Sequence, residues 1–245
     1  MPNPSVTVII AHYNYQKFLP DAIKSVLDQD YNNVSICIID DKSTDQESVK
    51  EICRDILGEI KHIVNNVYYY DKGILILSND NKGPSETRNI GIRYCSKSDF
   101  FMILDADDIM LPNKISELIK PMLTWDSIGV TYGDYYIRNE HGLTSQENKH
   151  PYSLRFLKNE CIIHSGALIS AKALFDVQQN NEFYNSKFRV CEDYQLWLRI
   201  AQKYMVYHVP KYLTIVNDHS NNSTNTVSRQ EWINHWDMLN SSIKG

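Results

Sequence analysis

The segment Asp105-Ala106-Asp107-Asp108 places three carboxylates within four residues, directly after the apolar run Phe100–Leu104. An uninterrupted apolar run of this kind predicts a buried strand, so the aspartates stand where that strand leaves the core. Like charges at this spacing repel one another, and a bound divalent cation would cancel the repulsion. A solvated, Asp-rich turn before Pro112 explains the same residues without a metal, and this stretch alone does not decide between the two.

Polar clusters also follow three earlier strand-like runs. Tyr13 follows the first run, Asp40 and Asp41 follow the second, and Lys82 with Arg88 follows the third. The carboxyl ends of neighbouring parallel strands meet at one edge of a sheet, and ligands bind in the crevice there. An aromatic ring, carboxylates and cations at this edge predict a site for a charged ligand with a planar ring and a bound metal.

Apolar runs and the amphipathic segments between them are expected to position these side chains. The runs are Val6–Ile10, Val34–Ile39, Ile74–Leu77 and Phe100–Leu104, and helices are predicted from about Pro20, after Asp45 and through 87–92. Continuous apolar strands that alternate with helices are typical of a mostly parallel sheet covered on both faces, so the predicted fold class is α/β. The stretch 58–73 stays open, because Tyr68-Tyr69-Tyr70 fits either an edge strand or a surface loop.

Composition and charge narrow the class of protein. The 245 residues include 42% hydrophobic and 22% charged side chains, as in ordinary soluble globular proteins. A net charge of −5 argues against nucleic acid as a partner, because no broad basic surface is available to neutralise phosphates. The five scattered cysteines indicate neither a disulfide framework nor a zinc site, and no secretion signal or membrane span is expected.

The second half of the chain carries another acidic pair. A helix predicted over 192–201 begins with Glu192-Asp193, and the helix dipole favours acids there, so a purely structural role is open. A final helix from about Ser228 has an apolar side that is expected to pack against the body of the protein. The members of that side are Trp232, Ile233, Trp236, Leu239 and Ile243.

Taken together, the motifs resemble the family 2 glycosyltransferases, which are inverting enzymes with the GT-A fold. The matching segments follow the family order, and they are Val8–Asn14, Asp40–Asp45, Asn81–Gly91, Asp105–Asp108, Glu192–Arg199 and His219–Ser223. The Asp-x-Asp element alone is a weak signal, and the ordered set carries the resemblance. Two positions depart from the pattern, Lys42, where the family usually has glycine, and His12 in the first turn.

The resemblance implies a role for each matched residue. The nucleotide-binding residues would be Ala11, Tyr13 and Asp41 at the base, Asp40 and Asp105 at the base or ribose, Lys82 and Arg88 at the ribose or diphosphate, and Ala106 within the Asp-x-Asp element. Asp107 and His219 would bind a divalent metal together with diphosphate oxygens and water, and this mixed donor set suits Mn²⁺ better than Mg²⁺. Asp193 would be the general base, with Glu192 as the second choice.

The resemblance further implies one GT-A catalytic domain over 1–223 and a helical tail over 224–245. Within the domain, 1–110 would bind the nucleotide sugar and 111–223 the acceptor. The expected reaction moves a sugar from a nucleoside-diphosphate donor to a hydroxyl of a glycan or lipid-linked glycan. A UDP-sugar is the first choice of donor. The expected location is the cytoplasm, with the inner face of the membrane as an option. Peripheral membrane association and a homo-oligomer are both compatible with the resemblance.

Three other functions compete with this interpretation. A phosphatase or phosphotransferase of the haloacid dehalogenase type carries its Asp-x-Asp motif after the first strand, whereas here the motif follows the fourth. A sugar nucleotidyltransferase would want a glycine-rich loop after the first strand, and residues 11–14 contain no glycine. A catalytically silent module that binds a nucleotide sugar or a glycan is the alternative that the sequence leaves open.

Overall fold

The computed structural model describes residues 3–220, 222 and 226–243. Asn221 and Ser223 of the last motif and the side chain of Ile243 lie outside the described residues. The strands are β1 (Val6–His12), β2 (Val34–Asp40), β3 (Ile60–Val64), β4 (Val67–Tyr70), β5 (Ile74–Leu77), β6 (Phe100–Asp105), β7 (Ile109–Met110), β8 (Ile128–Asn139), β9 (Thr144–Glu147), β10 (Leu168–Ser170) and β11 (Met205–Asp218). The helices are α1 (Leu19–Leu27), α2 (Gln46–Leu57), α3 (Gly83–Tyr94), α4 (Lys114–Thr124), α5 (Leu154–Leu157), α6 (Ala171–Asp176), α7 (Glu192–Ile200) and α8 (Arg229–Ile243).

The described strands form one eleven-stranded sheet whose centre, in the order β5-β2-β1-β6, is parallel. In this register Ala11 lies opposite Asp105, and His12 lies opposite Asp40. The polar residues that end these strands therefore meet at one edge of the sheet. Successive residues of each apolar run pack into two different cores. Ile10 packs with residues of α1 and α2, whereas Ile9 packs with residues of α3 and α7. The α/β fold predicted from the sequence is confirmed.

Two local features fix the helices that lead into the polar edge. Asp45 caps α2 by accepting a hydrogen bond of 3.0 Å from the backbone N–H of Ser48. Gly91 brings α3 against the sheet, because a Cβ atom there would lie 2.7 Å from Ile39 and 2.8 Å from Ile9. The close approach holds the first turn of α3 over the ends of β1 and β2.

The stretch 58–73 is an edge hairpin rather than a surface loop. β3 and β4 pair antiparallel with each other, and β4 continues the sheet by pairing antiparallel with β5. Tyr70, at the end of β4, is buried in the core, and the partly buried Tyr68 packs against the same core. An antiparallel edge thus flanks the parallel centre on this side.

On the other side of β6 the sheet becomes mixed. β10 pairs antiparallel with both β6 and β8, and β8 then runs parallel to β11. β11 is a single long strand with register shifts between Val209 and Tyr212. Pro210 lies at this irregularity, where its missing N–H group costs the ladder least.

Helix α8 packs on the rest of the protein. Leu239 is fully buried, and the ring of His235 lies 5.7 Å from that of Phe188. No helix among the described residues is both long and apolar enough to cross a lipid bilayer.

Candidate active site

A cavity of about 1180 Å³ opens at the carboxyl edge of the parallel strands. It is bounded by the segments after β1, β2, β5 and β6, and by the segment that leads into α7 together with α8. The predicted site residues that line it are Ala11, Tyr13, Asp41, Lys82, Arg88, Asp105, Ala106, Asp107, Glu192 and Asp193. Asp40 and His219 lie behind this lining, where each contacts a residue that lines the cavity. The structure therefore brings together side chains from both halves of the chain.

Tyr13 and Asp41 lie in the segments that follow β1 and β2. The Tyr13 ring is 47% exposed, which leaves its face available to a planar ligand. Asp41 is buried, and its two carboxylate oxygens each accept a hydrogen bond of 2.8 Å, from the N–H groups of Lys82 and Gly83. Burial raises the pKa of Asp41 although these bonds act in the opposite direction. Asp41 thus holds the start of α3 and keeps Lys82 at the cavity.

Asp40 is enclosed by protein groups. Its carboxylate accepts hydrogen bonds from His12 Nδ1 at 2.9 Å, from Ser43 Oγ at 2.5 Å and from Gln46 Nε2 at 2.7 Å. Because the backbone N–H of Tyr15 donates to His12 Nε2 at 3.1 Å, the His12 proton sits on Nδ1 and points at Asp40. Both His12 and Asp40 are buried, so this pair ties the first turn to the second.

Lys42 follows Asp41 with φ of 64°, in the left-handed region. This conformation costs a residue with a Cβ atom about 1–2 kcal/mol and costs glycine almost nothing. The structure therefore gives a physical reason why glycine suits this position. The Lys42 backbone adopts this conformation nonetheless, and its side chain is exposed to solvent.

Arg88 connects three distant segments of the site. Its Nη2 atom donates to Asp105 at 2.8 Å, its Nη1 atom donates to Glu192, and its guanidinium lies 5.5 Å from the centre of the Tyr184 ring. Asp105 also accepts a 2.9 Å hydrogen bond from Ser165 Oγ. Burial acts to raise the pKa of Asp105, but the Arg88 charge holds it below its ordinary value. Both Nη atoms of Arg88 are thus bound to carboxylates of the protein.

The next two aspartates of the motif differ from Asp105, because neither is paired with an arginine of the described residues. Burial and the Asp105 charge raise the pKa of Asp107 to about 6. Burial and the charge of Asp107 raise the pKa of Asp108 well above its ordinary value. A cation bound at Asp107 would stabilise its ionised form. This agrees with the expectation from the sequence that a divalent cation offsets the repulsion between these carboxylates.

Asp107 and His219 face each other, with 3.1 Å between Oδ2 of the aspartate and Nε2 of the imidazole. His219 is held by stacking on Phe18, with ring centres 4.7 Å apart, and Asn222 Nδ2 donates to Asp107 at 3.2 Å. Within the described ranges, no group of three His, Cys, Asp or Glu side chains could hold a metal by itself. One carboxylate and one imidazole fit a divalent ion that takes its remaining ligands from a bound diphosphate and water.

A buried lysine behind the motif was not predicted from the sequence. Lys114 is only 2% exposed, its Nζ atom donates to Thr214 at 2.8 Å, and burial lowers its pKa to about 8. His164 Nε2 lies 3.8 Å from Asp108 Oδ2, and burial lowers the His164 pKa to about 3. A lysine four residues before Leu118, on the apolar side of α4, was the signal that could have indicated this group.

Asp193 and Glu192 begin α7 but have different surroundings. Glu192 is bound to Arg88, whereas Asp193 accepts only a 2.7 Å bond, from the N–H of Tyr194, among the hydrogen bonds of the described residues. Burial and the Glu192 charge raise the pKa of Asp193 to about 7. A carboxylate with a pKa near neutrality, on the wall of a cavity, is suited to accept a proton.

Trp232 and Trp236 of α8 also line the cavity. The sequence assigned them to a packing face, and the structure places Leu239 of that face in the core but leaves Trp236 40% exposed. Their spacing of four residues places both on one side of the helix. No local pattern in the sequence locates this side relative to Asp193, because only tertiary contacts bring α8 and the start of α7 together.

The chain is similar to named glycosyltransferases in sequence. A family model described as "Glycosyl transferase family 2" matches residues 7–178. The UDP-Glc:alpha-D-GlcNAc-diphosphoundecaprenol beta-1,3-glucosyltransferase WfgD of Escherichia coli is 27% identical, over 98% of this chain and 87% of WfgD.

Solved structures of glycosyltransferases share the fold. TarS of S. aureus matches with a TM-score of 0.69 at 16% identity, over 96% of this chain and 39% of TarS. The mannosyltransferase PcManGT from Pyrobaculum calidifontis, solved with GDP-Man and Mn²⁺, matches with a TM-score of 0.69 at 15% identity, over 99% of this chain and 65% of PcManGT. The fold is accordingly that of the GT-A glycosyltransferases, and the chain belongs to glycosyl transferase family 2.

Proposed function

We propose that this protein transfers a sugar, with inversion at the anomeric carbon, from a UDP-sugar to a hydroxyl of a lipid-linked glycan. The observation that carries the proposal is that one cavity is lined by Tyr13 and Asp41, by Asp107 and by Asp193. These residues supply the ring, the carboxylates and the base that the reaction needs. The name of WfgD, which states a UDP-Glc donor and a diphosphoundecaprenol-linked acceptor, supports the donor and acceptor classes.

The donor would bind along the ends of β1, β2 and β5. The exposed Tyr13 ring stacks on the base, and the remaining lone pairs of the Asp41 carboxylate accept a hydrogen bond from the uracil imide. Lys82 is exposed at the cavity and meets the diphosphate, whereas Arg88 acts through Asp105, which it holds in place for the ribose.

The metal would be held by Asp107 and His219, whose facing oxygen and nitrogen atoms lie 3.1 Å apart. A divalent ion, with Mn²⁺ as the first choice, would supply positive charge that stabilises a diphosphate leaving group. The protein's own part is to hold the two ligands in place. His219 is stacked on Phe18, and the Asn217 side chain donates to the backbone carbonyl of Asp107.

Asp193 would accept the proton of the acceptor hydroxyl. As the acceptor oxygen forms its bond to the anomeric carbon, the bond from that carbon to the diphosphate breaks, and the electron pair leaves with the nucleotide. Inversion follows because the oxygen attacks from the face opposite the diphosphate. Glu192 is a poor choice for the base, since its carboxylate is already bound to Arg88.

A donor screen tests the proposal. UDP-Glc, UDP-GlcNAc, GDP-Man and dTDP-Glc are each added with Mn²⁺, and thermal unfolding is measured alongside donor hydrolysis and transfer to a synthetic α-D-GlcNAc-diphospholipid. A UDP-sugar at about 100 times its Kd stabilises the fold by about 2.7 kcal/mol, which raises Tm by about 5–10 °C. A larger shift with GDP-Man would overturn the choice of donor. Binding without hydrolysis or transfer would instead indicate the catalytically silent module.

A further inference from the structure

Helix α8 is fixed beside the start of α7. The Trp236 ring lies 5.9 Å from the ring of Tyr194, the residue after Asp193. The ring of His235 packs 5.7 Å from that of Phe188, and Glu231 Oε1 lies 3.5 Å from Arg189 Nη1. These contacts join α8 to the segment that leads into α7. The wall of the cavity next to Asp193 is therefore built from α8.

Two tryptophans of α8 line the cavity. Trp232 and Trp236 both line it, and Trp236 is 40% exposed. By contrast, Trp197 of α7 is fully buried in the core. A tryptophan that serves packing alone is normally buried to a large degree, because its ring carries the largest apolar surface of any side chain. Two partly exposed indoles one helical turn apart, on a cavity wall, indicate a surface for a ligand.

The chemistry of the surface fits a sugar ring. A pyranose has a face of C–H groups and a rim of hydroxyl groups, so it covers the apolar face of an indole while its hydroxyls stay in contact with polar groups. Asp193 and Arg189 supply such polar groups on the same cavity. An acceptor without a ring, such as a glycerol phosphate unit, would leave the indoles uncovered.

We propose that Trp232 and Trp236 form the acceptor subsite, in which the sugar ring that receives the new linkage stacks on an indole and turns its hydroxyl toward Asp193. The proposal rests on the glycosyltransferase function proposed above, and it adds the residues that bind the ring of the acceptor sugar. It also makes the helical tail part of the binding site.

Steady-state kinetics of tryptophan variants test the proposal. UDP-Glc and a short-chain α-D-GlcNAc-diphospholipid serve as donor and acceptor probes, and the variants are Trp232→Ala, Trp236→Ala and the corresponding Phe variants. Each Ala variant is expected to raise the acceptor KM at least tenfold, equivalent to about 1.4 kcal/mol. The donor KM and the Kd for UDP should stay within twofold. The Phe variants should recover most of the acceptor affinity, because an aromatic face is retained. Trp125→Ala is the matched control, since Trp125 is 52% exposed and does not line the cavity.

The outcomes separate the two proposals. Ala variants with the wild-type acceptor KM, or with equal increases in the donor and acceptor KM, would overturn the acceptor subsite while leaving the transferase function intact. Wild-type protein that neither hydrolyses UDP-Glc or UDP-GlcNAc nor transfers a sugar from either donor to the diphospholipid would count against the function itself. Thermal unfolding of each variant shows whether α8 still packs. If an Ala variant unfolds at a lower temperature than the wild type, the Phe variant and tryptophan fluorescence replace it as the test. An acceptor KM close to that of the wild type in the Phe variant, together with quenching of the wild-type fluorescence by the acceptor, would support the subsite. The absence of quenching would overturn it.

Discussion

The state of Asp193 gives the most detailed prediction, which concerns the variant Glu192→Gln. The Glu192 carboxylate adjoins Asp193 in sequence and pairs with Arg88. Burial and the Glu192 charge raise the pKa of Asp193 from 3.8 to about 7, while the Arg88 charge acts to lower it. The substitution removes the negative charge and leaves the positive one. The Asp193 pKa should therefore fall.

The magnitude follows from the charges. Raising a carboxyl pKa from 3.8 to about 7 corresponds to about 4 kcal/mol that disfavours the ionised form. With an effective dielectric constant of about 20, a unit charge on an adjacent residue contributes on the order of 2 kcal/mol. Removing it should lower the Asp193 pKa by about 1.5, to roughly 5.5. Burial, the largest cause of the raised Asp193 pKa, persists in the variant.

The assay is the pH dependence of kcat/KM for the acceptor. A general base works in its ionised form, so activity should rise with pH through a midpoint near 7 in the wild-type protein and near 5.5 in the variant. At pH 6 the rate relative to the plateau should increase from about a tenth to about three quarters. The plateau itself should fall, because a less basic carboxylate is a weaker proton acceptor.

The control is Glu117→Gln, which also removes an ion-paired glutamate but lies away from the cavity, beside Lys120 and Lys211. Its pH profile should match that of the wild type. A midpoint that stays near 7 in Glu192→Gln, or moves to higher pH, would refute the electrostatic reasoning. Loss of activity at every pH in a folded Glu192→Gln protein would show that the Glu192 carboxylate is itself required, which the electrostatic reasoning does not predict.

Three further predictions follow from the site and its supports. Asp107→Ala should abolish the Mn²⁺ dependence of UDP-sugar binding, measured by titration with and without the metal, and equal dependence in variant and wild type would contradict the assigned ligand. Arg88→Met leaves Asp105 and Glu192 without their cation, so the protein should lose about 3–5 kcal/mol of unfolding free energy and its Tm should fall on the order of 10 °C; an unchanged Tm would show that this ion pair does not stabilise the fold. Lys42→Gly relieves the left-handed conformation at φ of 64° and should raise Tm by about 2–4 °C. By contrast, Lys24→Gly, in the last turn of α1, should lower Tm by a similar amount, because glycine disfavours the helix and the variant loses a cation near the helix C-terminus. A decrease in both variants would argue against relieved strain at Lys42.

The sequence predicted the parts of the fold that depend on local pattern. The apolar runs ending at Asp40 and Asp105 define strands at the centre of the sheet, because a run buried on both faces has few alternatives. The order of these strand ends was enough to predict a ligand site at one edge. The hairpin of β3 and β4 was left open, since Tyr68 and its neighbours become a strand only by pairing with β5.

The details of the site depended on contacts between distant residues. Asp40 is enclosed because His12, 28 residues away, donates to it, and Arg88 is neutralised by Glu192, 104 residues away. His12 and Glu192 both lie in recognised motifs, but no local motif shows which residues they pair with. Trp232 and Trp236 have the spacing of a packing face, and only the position of α8 beside Tyr194 turns that face toward the cavity.

The central claim is that Asp193 removes the acceptor proton while other residues bind the donor. Its most direct test is Asp193→Asn, with UDP-sugar affinity in the presence of Mn²⁺ and transfer to the α-D-GlcNAc-diphospholipid measured on the same preparation. We expect donor affinity within about twofold of the wild type and a rate of transfer reduced by about 10²–10⁴. Transfer at the wild-type rate by a correctly folded Asp193→Asn protein would contradict the account.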